Sequence, residues 1–108
     1  MNRKLQLEFM RSEDPQNSFV LFALAKEYEG EGNPIAAIEL MEELRRQDPL
    51  YTGLYYHLAS LYKQTGQTLK CREILMTGTN VCETHREAHD LAELRQFLMN
   101  LEIDELEG

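Results

Sequence analysis

Leu24-Ala25-Lys26-Glu27-Tyr28-Glu29-Gly30-Glu31-Gly32-Asn33-Pro34 returns 34 residues later as Leu58-Ala59-Ser60-Leu61-Tyr62-Lys63-Gln64-Thr65-Gly66-Gln67-Thr68. Leu, Ala, Tyr and Gly recur at matching places, and the same offset carries Asp14-Pro15 onto Asp48-Pro49 and Glu39 onto Glu73. Similar residues fill the intervals: Ser18 with Thr52, Phe22 with Tyr56, Ala37 with Cys71, Met41 with Leu75. So many matches at one spacing mark a duplicated structural unit, and a fixed period dictates the fold.

Each unit reads as two helices. Leu21, Leu24, Ala25 and Tyr28 follow the spacing of one helical face, as do Tyr55, Leu58, Ala59 and Tyr62. The second halves repeat it with Ala37, Leu40, Met41 and Leu44, then Cys71, Ile74, Leu75 and Gly78. Between the halves, Gly32 and Gly66 suit the left-handed residue that closes a helix. Asn33-Pro34 suits an N-cap followed by a first-turn proline. No alternating strand pattern competes with this reading.

The 34-residue period and this order of residue types resemble the tetratricopeptide repeat family. With Ser18 as a repeat's first residue, the positions that carry the likeness are Leu21, Leu24, Ala25, Tyr28, Ala37, Met41 and Pro49. In the second repeat they are Tyr55, Leu58, Ala59, Tyr62, Cys71 and Leu75. Leu7, Met10 and Pro15 fit the end of a preceding half-repeat. The resemblance implies an all-α fold, a right-handed superhelix of antiparallel helix pairs (an α-solenoid) with a terminal capping helix. The chain resembles a small bacterial-type member with two repeats. The expected organisation is one domain over residues 1–108: a partial helix at 1–15, repeats at 18–51 and 52–85, and a capping helix at 86–106.

Three departures from the family pattern carry further expectations. Leu44 is large where a small residue is preferred, so it either spreads its neighbours or fills space beside Ala37. Glu83 stands in place of the second closing proline, and nothing there forces the chain out of a helix. Met76-Thr77-Gly78-Thr79 holds poor helix formers, and a mid-helix glycine costs about 1 kcal/mol. The helix is therefore expected to weaken or break near Gly78. From His85 to Leu106 the chain runs without Gly or Pro, with Leu94, Phe97, Leu98 and Leu101 on one face. Its acidic end opposes the helix dipole and is expected to fray.

The resemblance places groove-lining positions at Phe19, Phe22, Lys26 and Glu29, then Gly53, Tyr56, Ser60 and Lys63. Aromatic anchors beside lysines are suited to holding a peptide or helix of another protein. The expected partner-binding residues are accordingly Phe19, Phe22, Lys26, Tyr56, Ser60 and Lys63. Packing of Phe19 on the N-terminal segment and of Tyr56 on Phe22 is the simpler alternative. Recognition of a C-terminal carboxylate, as in one subgroup of the family, is disfavoured. Ser60 stands where Asn is wanted, and the last helix offers Glu87, Asp90 and Leu94 in place of Lys and Arg.

Chemistry finds little support. Cys82, His85 and His89 have a metal-compatible spacing, but the set lacks a second ligand pair from another element, so no metal or other cofactor is expected. Cys71 and Cys82 lie too far apart along a helix for a disulfide. There is no phosphate-binding glycine loop and no nucleophile–base motif. His57 is the one candidate base, and enzyme activity is not expected. Methionines 10, 41, 76 and 99 are expected to fill gaps between helices, and Glu42 to pair with Arg46 on a solvated face.

Composition sets the outer limits. The 108 residues suffice for one small domain. Nineteen acidic against eleven basic residues give a net charge of −8, which repels phosphate backbones and excludes nucleic acid as a partner. No apolar run is long enough for a membrane span. Two cysteines are too few for a disulfide scaffold, so a cytoplasmic location is expected. The function expected is that of a non-catalytic interaction module or scaffold holding a partner's peptide in a concave groove. The alternative is a structural homo-oligomer, such as a homodimer, associating through the solenoid ends, with Phe97, Leu98 and Leu101 covered by the second copy.

Overall fold

The computed structural model describes residues 2–108. Among them the elements run α1 (Arg3–Glu13), α2 (Ser18–Gly30), α3 (Pro34–Gln47), α4 (Gly53–Gln64), α5 (Thr68–His85) and α6 (Ala88–Glu107), without a strand. Two compact units divide the chain, one ending at Leu54 and the other running from Tyr55 to Gly108.

In the N-terminal unit, α2 and α3 form a tightly packed hairpin, and α1 packs on α2. Gly32 adopts φ +78°, a conformation that costs glycine nothing and other residues about 1–2 kcal/mol. Asn33 Oδ1 then accepts the amide proton of Ala36 at 3.2 Å, and Pro34 occupies the first turn. Asn2 and Asn17 cap α1 and α2 in the same way, each cap adding about 1 kcal/mol. The apolar faces read from the spacing are buried: Leu21, Leu24 and Ala25 on α2, Ala37, Met41 and Leu44 on α3. Burying each leucine contributes about 1.5–3 kcal/mol before entropy is counted.

Helix α1 buries Leu7 but leaves Met10 exposed, so Met10 fills no gap. Polar contacts fix its approach. Arg3 pairs with Glu27 at 2.8 Å and Lys4 with Glu31 at 3.1 Å. Tyr28 Oη donates to Glu8 at 2.9 Å, and Arg11 reaches Glu43 of α3 at 2.8 Å. Glu43 is thus tied to α1, and Glu42 takes Arg45 at 2.7 Å in place of the expected Arg46.

In the C-terminal unit the turn after α4 repeats the first one, with Gly66 at φ +75° and the Gln67 amide donating to Tyr62 O at 2.8 Å. Helix α5 does not break near Gly78. It continues to His85, in keeping with the absence of a proline at Glu83. A Cβ added at Gly78 would lie 2.6 Å from Tyr55 Cβ and 3.0 Å from Leu94 Cδ1. The glycine is the condition for α4, α5 and α6 to meet, and its propensity cost is offset by that packing.

The expected continuous run from His85 is interrupted. Arg86 sits at φ 58°, ψ 39° and closes α5, and α6 begins at Ala88. The acidic end stays helical through Glu107. Arg72 pairs with both Glu102 and Glu105, and Lys63 lies 3.4 Å from Asp104. These cations supply what the helix dipole withholds. Met76 and Met99 are exposed, whereas Met41 is buried.

Candidate recognition surface

Spacing along α4 brings Tyr56, Ser60 and Lys63 to one face, since residues three and four apart are neighbours on a helix. In the C-terminal unit this face meets α6 across an open depression of about 790 Å³. Helix α6 contributes His89, Glu93, Gln96, Phe97 and Asn100 to its lining. Three of the six expected partner-binding residues therefore gather at one cavity.

An aromatic pair anchors the depression. The Tyr56 and Phe97 rings meet edge-to-face, with centroids 5.5 Å apart and planes at 74°. This is the geometry their quadrupoles favour. Tyr56 keeps 40% of its surface exposed, which leaves it able to receive a ligand. Lys63 Nζ stands 5.8 Å from the Phe97 centroid and 3.4 Å from Asp104 Oδ2. Ser60 Oγ accepts from Gln64 at 3.3 Å. On the opposite wall, His89 Nε2 is 2.7 Å from Glu93 Oε1, and Gln96 Nε2 donates to Asn100 at 3.1 Å.

Phe19, Phe22 and Lys26 lie on α2 of the N-terminal unit. Phe22 packs against Tyr51 at 5.2 Å, with Lys26 Nζ 5.6 Å from the Phe22 centroid. Phe19 is 57% exposed. An aromatic ring beside a lysine thus occurs on each unit.

Helix α6 agrees with expectation in part. Leu94, read from the spacing on the apolar face of this helix, is buried with its methyl close to Gly78. Glu87 precedes the helix as its N-cap residue. Phe97, which the homo-oligomer alternative covers with a second copy, lines the depression, and Leu101 retains only 3% exposure within the single chain. Helix α5 is longer than α3, 18 residues against 14.

The remaining candidates are placed as follows. Cys82 is buried, whereas His85 and His89 are exposed. The two histidines belong to α5 and α6, so they do not share one helix face. Among the described residues no group of three His, Cys, Asp or Glu is arranged to hold a metal ion. His57 packs edge-on against Tyr56 at 5.8 Å. Cys71 and Cys82 are both free and buried, and burial pushes both thiols upward. No described helix is long and apolar enough to cross a membrane.

Paired helices, glycine-closed turns and a face of aromatic and polar side chains define a helical-repeat interaction module. The comparisons make the class specific: a tetratricopeptide repeat family model matches residues 28–94. A tetratricopeptide repeat domain protein of Salinibacter ruber is 34% identical in its crystal structure, with TM-score 0.76, covering 80% of this chain and 96% of that one. Its solution structure gives 35% identity and TM-score 0.78, covering 82% and 90%. The type III secretion translocator chaperone SycD of Yersinia enterocolitica shares the fold at 14% identity and TM-score 0.86, covering 94% of this chain and 71% of that one. No curated protein matches significantly. The chain belongs to the tetratricopeptide repeat family, whose fold is that of a protein-interaction module.

Proposed function

We propose that the chain is a non-catalytic recognition module that holds a peptide or helix of a partner protein against the α4–α6 depression. The observation that carries this reading is the half-exposed Tyr56–Phe97 pair, set among polar side chains in a cavity large enough for an anchoring residue. Aromatic anchors in partly desolvated pockets dominate the energetics of protein interfaces. Phe19, Phe22 and Lys26 offer a second surface of similar composition on α2. Two free, buried thiols suit a reducing compartment such as the cytoplasm.

The test is selection of binding peptides from a random dodecapeptide phage library, followed by titration of the selected peptides against Tyr56→Ala. A binding loss of about tenfold or more is expected for removal of an interface aromatic, with circular dichroism unchanged. Selected peptides indifferent to Tyr56→Ala place recognition elsewhere. Sedimentation of the free chain separates the homodimer alternative, because a stable dimer sediments at twice the monomer mass at micromolar concentration.

A further inference from the structure

The charges around the depression specify its occupant more narrowly. Besides the Tyr56 phenol, its titratable lining residues are Lys63, His89 and Glu93. Lys63 already faces Asp104 and the Phe97 ring, so an acidic ligand meets a lysine whose charge is balanced by the chain itself. The Glu93 carboxylate meets His89 through Oε1 at 2.7 Å, which leaves Oε2 to accept from a ligand. The surrounding field has the same sign: Tyr55–Gly108 carries five basic against nine acidic residues.

We infer that the depression takes an arginine or lysine side chain from a basic segment of the partner protein. The inference rests on the recognition role proposed above and names its ligand class. A guanidinium or ammonium is attracted to the faces of Tyr56 and Phe97 while donating to Glu93 and to the side-chain carbonyl of Gln96. An aliphatic residue buries the same rings but gives Glu93 Oε2 and the Gln96 side-chain carbonyl no donor as they lose water, which is unfavourable. A carboxylate meets Glu93 and Asp104 as like charges. Lys63 stands over the Phe97 ring and supports the aromatic wall.

The composition of the selected dodecapeptides decides the matter, read together with Glu93→Gln and Tyr56→Ala. The expected result is enrichment of arginine or lysine beside an apolar residue, with binding reduced about threefold to tenfold by Glu93→Gln, the size of a rim charge plus a cation–π contact. Raising the salt from low to high concentration weakens the same peptides. Acidic or uncharged peptides that depend on Tyr56 overturn this inference and leave the recognition role standing. Basic peptides insensitive to Glu93→Gln also overturn it. Failure to enrich any Tyr56-dependent peptide removes both.

Discussion

Gly78 and Tyr55 approach so closely that no side chain fits between them: a methyl at Gly78 would stand 2.6 Å from Tyr55 Cβ and 2.7 Å from Cγ. Tyr55 Cβ is attached to the backbone and has no rotamer by which to retreat. Replacing Gly78 with Ala gains about 1 kcal/mol of helix propensity, but the overpacking costs about 1–3 kcal/mol or more. Gly78→Ala is therefore expected to lower stability on balance, read as a reduced denaturation midpoint in urea. A midpoint raised above the wild type would show that the three helices can separate without loss.

Arg86 ends α5 in the left-handed region at φ 58°. A non-glycine residue there costs about 1–2 kcal/mol, and glycine recovers it at an unfolded-state entropy cost of about 0.5–1 kcal/mol. Arg86→Gly is expected to raise stability by up to about 1 kcal/mol, and Arg86→Val to lower it. Thermal melting of both variants gives the order directly.

The acidic end of α6 is held by exposed ion pairs to Arg72 and Lys63. Such pairs contribute about 0–1 kcal/mol to global stability, yet they act on the last turns, where fraying costs least. Arg72→Ala is expected to accelerate amide exchange over residues 102–107 by several fold. Exchange in α2 is expected to stay unchanged. High salt gives the wild type the same behaviour, since it screens the pairs.

Burial raises the Cys71 and Cys82 thiols, and Tyr51 through burial and the nearby Asp48. The Tyr28 phenol is raised first by its hydrogen bond to Glu8. In each case the unfolded chain loses its proton before the folded one, so the folded state binds more protons and stability falls as pH rises. The contribution is complete below an unperturbed thiol's value of about 8.5 and is lost through the alkaline range. Denaturation midpoints are expected to be flat in pH near neutrality and to decline above about pH 8.5. Cys71→Ala, the residue type found at the matching Ala37, should make the decline shallower.

Much of the fold is legible in the repeat. Gly32, Gly66 and Asn33-Pro34 mark turns by residue chemistry that acts over a few positions, and the apolar spacing of α2 and α3 states which faces are covered. The candidate surface is legible in part. Tyr56, Ser60 and Lys63 share a helix face because their spacing compels it, but Phe97 joins them across 41 positions, a relation no local pattern encodes. Arg86 ends a helix without glycine, proline or asparagine to announce it.

The sequence by itself determined the helices, their pairing into repeats and the acidic character of the molecule, because periodicity, caps and net charge are properties of neighbouring residues or of the whole composition. Tertiary structure alone decided that Gly78 is a contact and not a break, that Arg86 ends α5, and that Phe97 faces Tyr56. Those outcomes depend on contacts between residues far apart in the chain, and the energy of close packing is settled only when separate helices meet.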